Sequence, residues 1–240
     1  MADEVIKILQ MLQEGKISIE EATELLDAAE SITLDDPAPL VNASSTPLAT
    51  PRLRDAVPPE VVQRSLRGVD LSGAQLAGAQ LEEIDLSGAR LCGADLAGIN
   101  LQRANLSGAD LSEANLAGAQ LQEAILEEAN LANADLSRVV LQKANLRNAN
   151  LSEANLTGAQ LNEATLEGAT LTNADLSGAH LVRANFSQAN LMEANLAGAR
   201  LDETDFRGAA LSGADLSGTN LQVLLRSSIR GVNLSAVKLV

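Results

Sequence analysis

The chain has 240 residues and a net charge of −15, from 32 acidic and 17 basic side chains. That balance argues against a surface that neutralises nucleic-acid phosphates and against docking on anionic membranes. Two Phe, no Trp and no Tyr leave little for base stacking or an aromatic-lined ligand pocket.

No apolar run reaches the roughly 18 residues of a membrane helix. The N-terminus carries Asp3 and Glu4 in place of a charged-then-apolar leader. The single cysteine, Cys92, has no partner for an internal disulfide, which fits a reducing, cytoplasmic setting.

Residues 1–32 read as two short helices. Val5, Ile6, Ile8, Leu9 and Leu12 form one apolar stripe at helical spacing, and Gly15 suits a helix C-terminus. Ser18 and Glu21 form an S-x-x-E capping box, and Ala22, Leu25, Leu26 and Ala29 supply a second stripe. A hairpin this small buries little apolar area and calls for a partner, so Ile8, Leu12, Leu25 and Leu26 are candidate association residues. The stretch MLQEGKISIEEATELLDA resembles the SHOCT-like helical hairpins attached to many bacterial proteins, and that resemblance implies docking or self-association.

Residues 33–58 read as a linker. All six prolines fall between Pro37 and Pro59, among Ser, Thr, Ala and Asp. Such a coil is extended and spans on the order of 30 Å. Pro59 suits the first turn of a capping helix over 59–67.

From Leu66 to Leu221 every fifth residue is Leu or Phe, 30 and two of 32 positions, and 25 of the 31 residues at 69, 74 and so on to 219 are Ala. A period of five suits neither an α-helix nor an ordinary strand. Its two apolar residues stand two apart, so both point to one side of a short extended segment. A turn then redirects the chain, and four turns close a square coil of 20 residues. Coils stack about 4.8 Å apart through backbone hydrogen bonds, and no coil buries its own leucines alone. The A-(D/N)-L-x-x pattern resembles the pentapeptide-repeat family. The resemblance implies an all-β solenoid, a right-handed quadrilateral parallel β-helix of about eight coils over 68–221.

Two columns at 20-residue spacing stand out. Glu83, Arg103, Glu123, Lys143, Glu163, Arg183 and Glu203 alternate in charge and form an expected vertical ladder. Asp95, Asn115, Asp135, Asn155, Asp175, Asn195 and Asp215 alternate Asp with Asn, which limits like-charge repulsion. The chain also repeats at 40 residues, so duplication of a two-coil unit accounts for both alternations. Phe186 and Phe206 fall 20 apart and are expected to stack. Arg226 comes next in that column and cannot continue the core, and the phase slips from Leu221 to Leu224, Ile229, Leu234 and Leu239. A bend is expected near 222–228, with a final partial coil over 222–240. That end has no evident cap, so Leu234 and Leu239 are candidate dimer residues. Pentapeptide-repeat relatives commonly pair through this end.

Catalytic and metal chemistry find no footing. His180 stands in an outward slot held mostly by Gln and Asn, with no nucleophile or orienting partner in the grid. Aspartates two coils apart, roughly 10 Å, cannot share a cation. Gly78, Gly98 and Gly118 form no phosphate loop and read as turn residues. Cys92 fills a slot shared with Ser and Ala. No enzyme activity, cofactor or metal is expected.

Two readings remain, with a third close to the first. One is an interaction scaffold that offers flat faces to an unidentified protein while the hairpin associates, with a homodimer through the C-terminal coil or the hairpin. The second is a DNA mimic that binds DNA gyrase, since some pentapeptide-repeat proteins protect gyrase from quinolones. An acidic rod about 38 Å long suits it. Duplex DNA of that length carries about 22 charges, against 20 acidic and 8 basic side chains over residues 70–223. Gyrase-protecting relatives often project loops from the coil, and none interrupts 66–221. The third is a regulator or immunity factor acting through one face. The candidate acidic residues are Asp95, Asp135, Asp175 and Asp215, and Asp110, Glu113, Glu153 and Glu193, with Asp70 beside them.

Overall fold

A computed structural model describes residues 65–220 and 236–238. The expected hairpin, the linker, residues 59–64 of the capping helix, and the bend near 222–228 lie outside the described residues, as do Ile8, Leu12, Leu25, Leu26, Leu234 and Leu239. Residues 65–67, expected to end that helix, are instead part of the first coil, where Ser65 bridges to Asp85 and the Leu66 amide donates to Asp85 O at 2.7 Å.

The array coils with a 20-residue period. Parallel single-residue bridges join each position to the one 20 further on, from Ser65–Asp85 to Asn195–Asp215. Nearly every five-residue repeat makes the same bonds. Around Leu76 the Leu76 amide donates to Asp95 O (2.8 Å) and the Gly78 amide to Ala97 O (2.8 Å), while the Asp95 amide donates back to Ala74 O (2.9 Å). The turn closes when the Ala79 amide donates to Leu76 O at 3.1 Å. Gly78 has φ +71°, and a positive φ at the third turn position defines a type II turn. The corners are therefore hydrogen-bonded from coil to coil as well as the sides.

This geometry sorts the five slots. Leucine and the alanine two before it point inward and are almost fully buried in every coil, as at Leu151 (0% exposed) and Ala154 (1%). Phe186 and Phe206 stack with centroids 5.5 Å apart and planes at 21°. Thr204 replaces one inward alanine and is completely buried, its Oγ1 donating to Leu181 O at 2.8 Å.

The register changes at the C-terminal end. Asp215 bridges to Lys238, 23 residues on rather than 20. The Leu216 amide donates to Lys238 O at 2.9 Å, so Lys238 takes the place over Asp215 that residue 235 would hold in a regular coil. The three extra residues equal the slip from Leu221 to Leu224 in the sequence.

Candidate functional site

Four outward faces, each named by an early outward residue, run around the tube in the order Asp85, Asp70, Asp95 and Gln80. Between them lie corners made of two residues, the second in the left-handed region. Every fifth residue from Gly68 to Gly218 has a positive φ. Glycine fills 15 of these positions, and 16 carry side chains at φ 55–61°. The sequence shows Gly sharing this slot with Glu, Arg and Asn. It gives no sign that the slot is left-handed throughout, which disfavours all but Gly, Asn and Asp by about 1–2 kcal/mol.

The candidate acids divide into two kinds. Those on the flat faces are held by the fold and, apart from the exposed Asp70, half-buried. Asp95 Oδ1 accepts the Ala97 amide (3.2 Å) and the Asn115 side-chain amide (2.9 Å). Asp135 accepts from Ser137 N (2.9 Å) and Asn155 (3.0 Å), and Asp175 from Ser177 N (2.9 Å) and Asn195 (3.1 Å). Asp215 accepts the Ser217 amide at 2.9 Å, and the Ser217 hydroxyl and amide hold its carboxyl below the usual range. Each Asn thus donates to the Asp one coil earlier, so the Asp/Asn column is a set of bonded pairs. Asp110 takes the Ser112 hydroxyl (2.7 Å), the Ser112 amide (3.2 Å) and the Asn130 amide (2.9 Å). The Ser112 hydroxyl is the main cause of its lowered pKa, which burial opposes.

Glu113, Glu153 and Glu193 differ. They occupy the corner between the Asp70 and Asp95 faces, at φ 59°, 60° and 58°. All three are exposed, and among the described residues their carboxylates make no ion pair or hydrogen bond. Gly73, Gly93 and Gly213 hold the same corner in other coils.

The corner joins the two faces into one acidic half. From the Asp70 face through the Glu113 corner to the Asp95 face stand nine carboxylates and two cationic groups, Arg90, which pairs with Asp70 at 3.4 Å, and Lys238, which stands over Asp215 at the C-terminal end. The remaining circumference of residues 65–220 holds eleven carboxylates and eight cationic groups.

The charge ladder lies on the corner between the Gln80 and Asp85 faces. Its seven residues are in vertical register, but only its ends pair: Arg103 with Glu83 (2.6 Å) and Arg183 with Glu203 (2.9 Å). Glu123, Lys143 and Glu163 make no ion pair among the described residues. Water competes well for such exposed charges, so a continuous ladder gains little. Arg147 pairs with Glu167, and Arg207 with Asp205, outside the expected ladder.

Sequence reading missed Asn100. It is 7% exposed, and its amide donates to Gln80 Oε1 (3.1 Å) and Glu82 Oε1 (2.6 Å). Only the crowding of Gln and Glu at 20- and 18-residue spacing signals it. His180 bridges Gln160 and Arg200 on this Gln80 face, and Cys92 is half-buried at a corner among serines. Among the described residues no three His, Cys, Asp or Glu side chains gather to hold a metal ion.

A β-helix with a five-residue repeat and three-residue sides defines the class of protein. Residues 65–88, 84–119, 114–152, 149–188 and 189–222 match the pentapeptide repeats, in eight copies, and the chain belongs to that family, whose members form right-handed quadrilateral β-helices. Residues 3–33 match a SHOCT-like domain. Among solved structures, trypsin-treated QnrB1, a plasmid-mediated fluoroquinolone resistance protein, is 23% identical with a TM-score of 0.62, over 74% of this chain and 92% of its own. HetL, involved in heterocyst differentiation regulation in Nostoc sp. strain PCC 7120, is 31% identical over 74% of this chain and 90% of its own, with a TM-score of 0.31. Rfr23 from the cyanobacterium Cyanothece 51142 is 33% identical over 54% of this chain and 89% of its own, with a TM-score of 0.30. No curated protein matches the chain.

Proposed function

We propose that this protein is a non-catalytic, cytoplasmic interaction scaffold that offers its acidic half to a basic protein surface. The one-sided charge carries this reading: nine carboxylates stand against two cationic groups, Arg90 and Lys238, over half the circumference. Within that half, Glu113, Glu153 and Glu193 are the contact residues, because the fold makes no use of their carboxylates. Each stands in a backbone conformation that glycine would hold without strain. The SHOCT-like segment brings association, on a tether of about 30 Å.

The test is affinity capture from the host lysate, with wild type beside a variant carrying Glu113→Gln, Glu153→Gln and Glu193→Gln. Loss of specific proteins from the variant, and their release by salt, supports the reading. An identical set of captured proteins from both sinks it.

A second reading makes the partner a DNA-binding enzyme such as DNA gyrase, with the acidic half in the place of duplex DNA. The collection of carboxylates on one side favours it, and QnrB1, of the same fold, is a fluoroquinolone resistance protein. A supercoiling assay with and without a quinolone, at two salt concentrations, decides it. Salt-sensitive inhibition or protection supports the mimic, and no effect at micromolar protein removes it.

A further inference from the structure

We propose that a second copy of this chain docks side-on and antiparallel against the ladder corner, on a two-fold axis between Glu123 and Lys143. The corner departs from the rest of the array. All seven of its left-handed positions from Glu83 to Glu203 carry charged side chains. The corner between the Asp95 and Gln80 faces has Gly at 78, 98, 118, 158, 178, 198 and 218, with Arg138 the one exception. Glycine therefore serves the turn well, and each Glu, Arg or Lys there stands in a backbone conformation that disfavours it. Pairing within the chain does not account for these charges, because only the two end pairs form.

The unpaired middle also carries two apolar side chains at or near the surface; Met192, 42% exposed, lies apart on the Glu113 corner. Ile125 stands two residues beyond Glu123 and is 41% exposed, in a column otherwise of Ser, Asp, Asn and Thr. Val140 stands three residues before Lys143 on the other side of the corner, in a column of Gln, Asn, His and Arg. The two flank the ladder at adjacent coils.

The charge series is complementary to itself. A two-fold axis perpendicular to the rod, midway between Glu123 and Lys143, sets Glu123 opposite Lys143 of the second copy, Arg103 opposite Glu163, and Glu83 opposite Arg183. Every pair is of opposite sign and occurs twice, as a two-fold interface requires. An axis through Lys143, or parallel rods in register, sets like charge against like. An axis between Lys143 and Glu163 also matches charges but leaves Ile125 off centre. At the proposed axis the two Ile125 side chains approach each other across the dyad, as do the two Val140 side chains. The occupant is a second copy because no other partner need share this alternation at coil spacing, about 4.8 Å. Charge pairs with a small apolar centre give a modest association that screens with salt.

Sedimentation velocity on the full chain tests this, at roughly 20 mM and 500 mM salt. Glu123→Lys and Lys143→Glu are made separately. Both replace one charged left-handed residue by another that the same corner already holds, so the fold is retained. The wild type shows a dimerisation step at low salt that weakens at high salt. Each variant alone weakens that step at least about tenfold, since like charges then meet across the axis. An equimolar mixture of the two restores it as a heterodimer, because the two central lysines of one copy then face the two central glutamates of the other. Wild type that stays monomeric at low salt overturns the proposal. So does association that both reversals leave unchanged, which belongs to the ends of the array or to the N-terminal segment. Variants that weaken singly and fail to recover when mixed also overturn it.

Discussion

The Asp95 face and the Glu113 corner are neighbouring columns of the same charge, and the fold treats them differently. On the face, Asp95, Asp135 and Asp175 each accept one backbone amide and one asparagine amide through Oδ1. These carboxylates cap corners and tie coils together. At the corner, Glu113, Glu153 and Glu193 are exposed on a strained backbone, Glu193 leaning over Gly213 of the next coil, and their carboxylates bond to nothing among the described residues. Charge on a solenoid therefore has two origins. A short side chain on a flat side serves as an acceptor, whereas the long ones of the Glu113 corner are available for something outside the chain.

Substitutions can break or sharpen that contrast. The largest effect belongs to the core on which both columns stand. Leu151→Ala, at a site with 0% exposure in the middle of the array, loses about 2–5 kcal/mol of stability in urea unfolding. Next comes Asp135→Ala, which orphans the Ser137 amide and the Asn155 side chain and costs about 1–2 kcal/mol. Asp135→Asn keeps the acceptor, as Asn155 does for Thr157, and stays within about 0.5 kcal/mol of wild type. Equal losses from Ala and Asn would mean that the charge of Asp135, rather than its acceptor, is what the fold uses.

A smaller effect appears in acid. The Ser112 hydroxyl holds the Asp110 carboxyl below its ordinary value. A group depressed in the folded state stabilises fully above its unfolded pKa, and that contribution fades as pH falls through the folded one. The acid limb therefore begins below about pH 4. Asp110→Asn makes it shallower when thermal melts are followed against pH, and an unchanged limb contradicts the assignment. The smallest effect is at the ladder. Removing the exposed Glu83–Arg103 pair by Glu83→Gln changes stability by no more than about 1 kcal/mol.

Much of this was legible in the sequence because a period of five leaves few choices. The inward Leu and Ala, the 20-residue coil, the stacked Phe186 and Phe206, and the three-residue slip before Lys238 all follow from counting. What counting misses is conformation and adjacency. Nothing in the letters shows that Glu113 sits at positive φ or that Asn115 donates toward Asp95 rather than Asp135. The candidate acids also read as two separate faces. They merge because the last slot of one repeat abuts the outward slot of the next, so the Glu113 corner lies against the Asp95 column. Asn100 escaped for a related reason: its burial comes from side chains of another coil, Gln80 and Glu82.

The most direct measurement is urea unfolding of two triple variants beside wild type. One carries Glu113→Gly, Glu153→Gly and Glu193→Gly; the other carries Asp95→Ala, Asp135→Ala and Asp175→Ala. Relief of left-handed strain predicts that the glycine variant unfolds at a higher urea concentration than wild type, and loss of acceptors predicts that the alanine variant unfolds at a lower one. A glycine variant that loses stability would contradict the account, because the corner glutamates would then serve the fold.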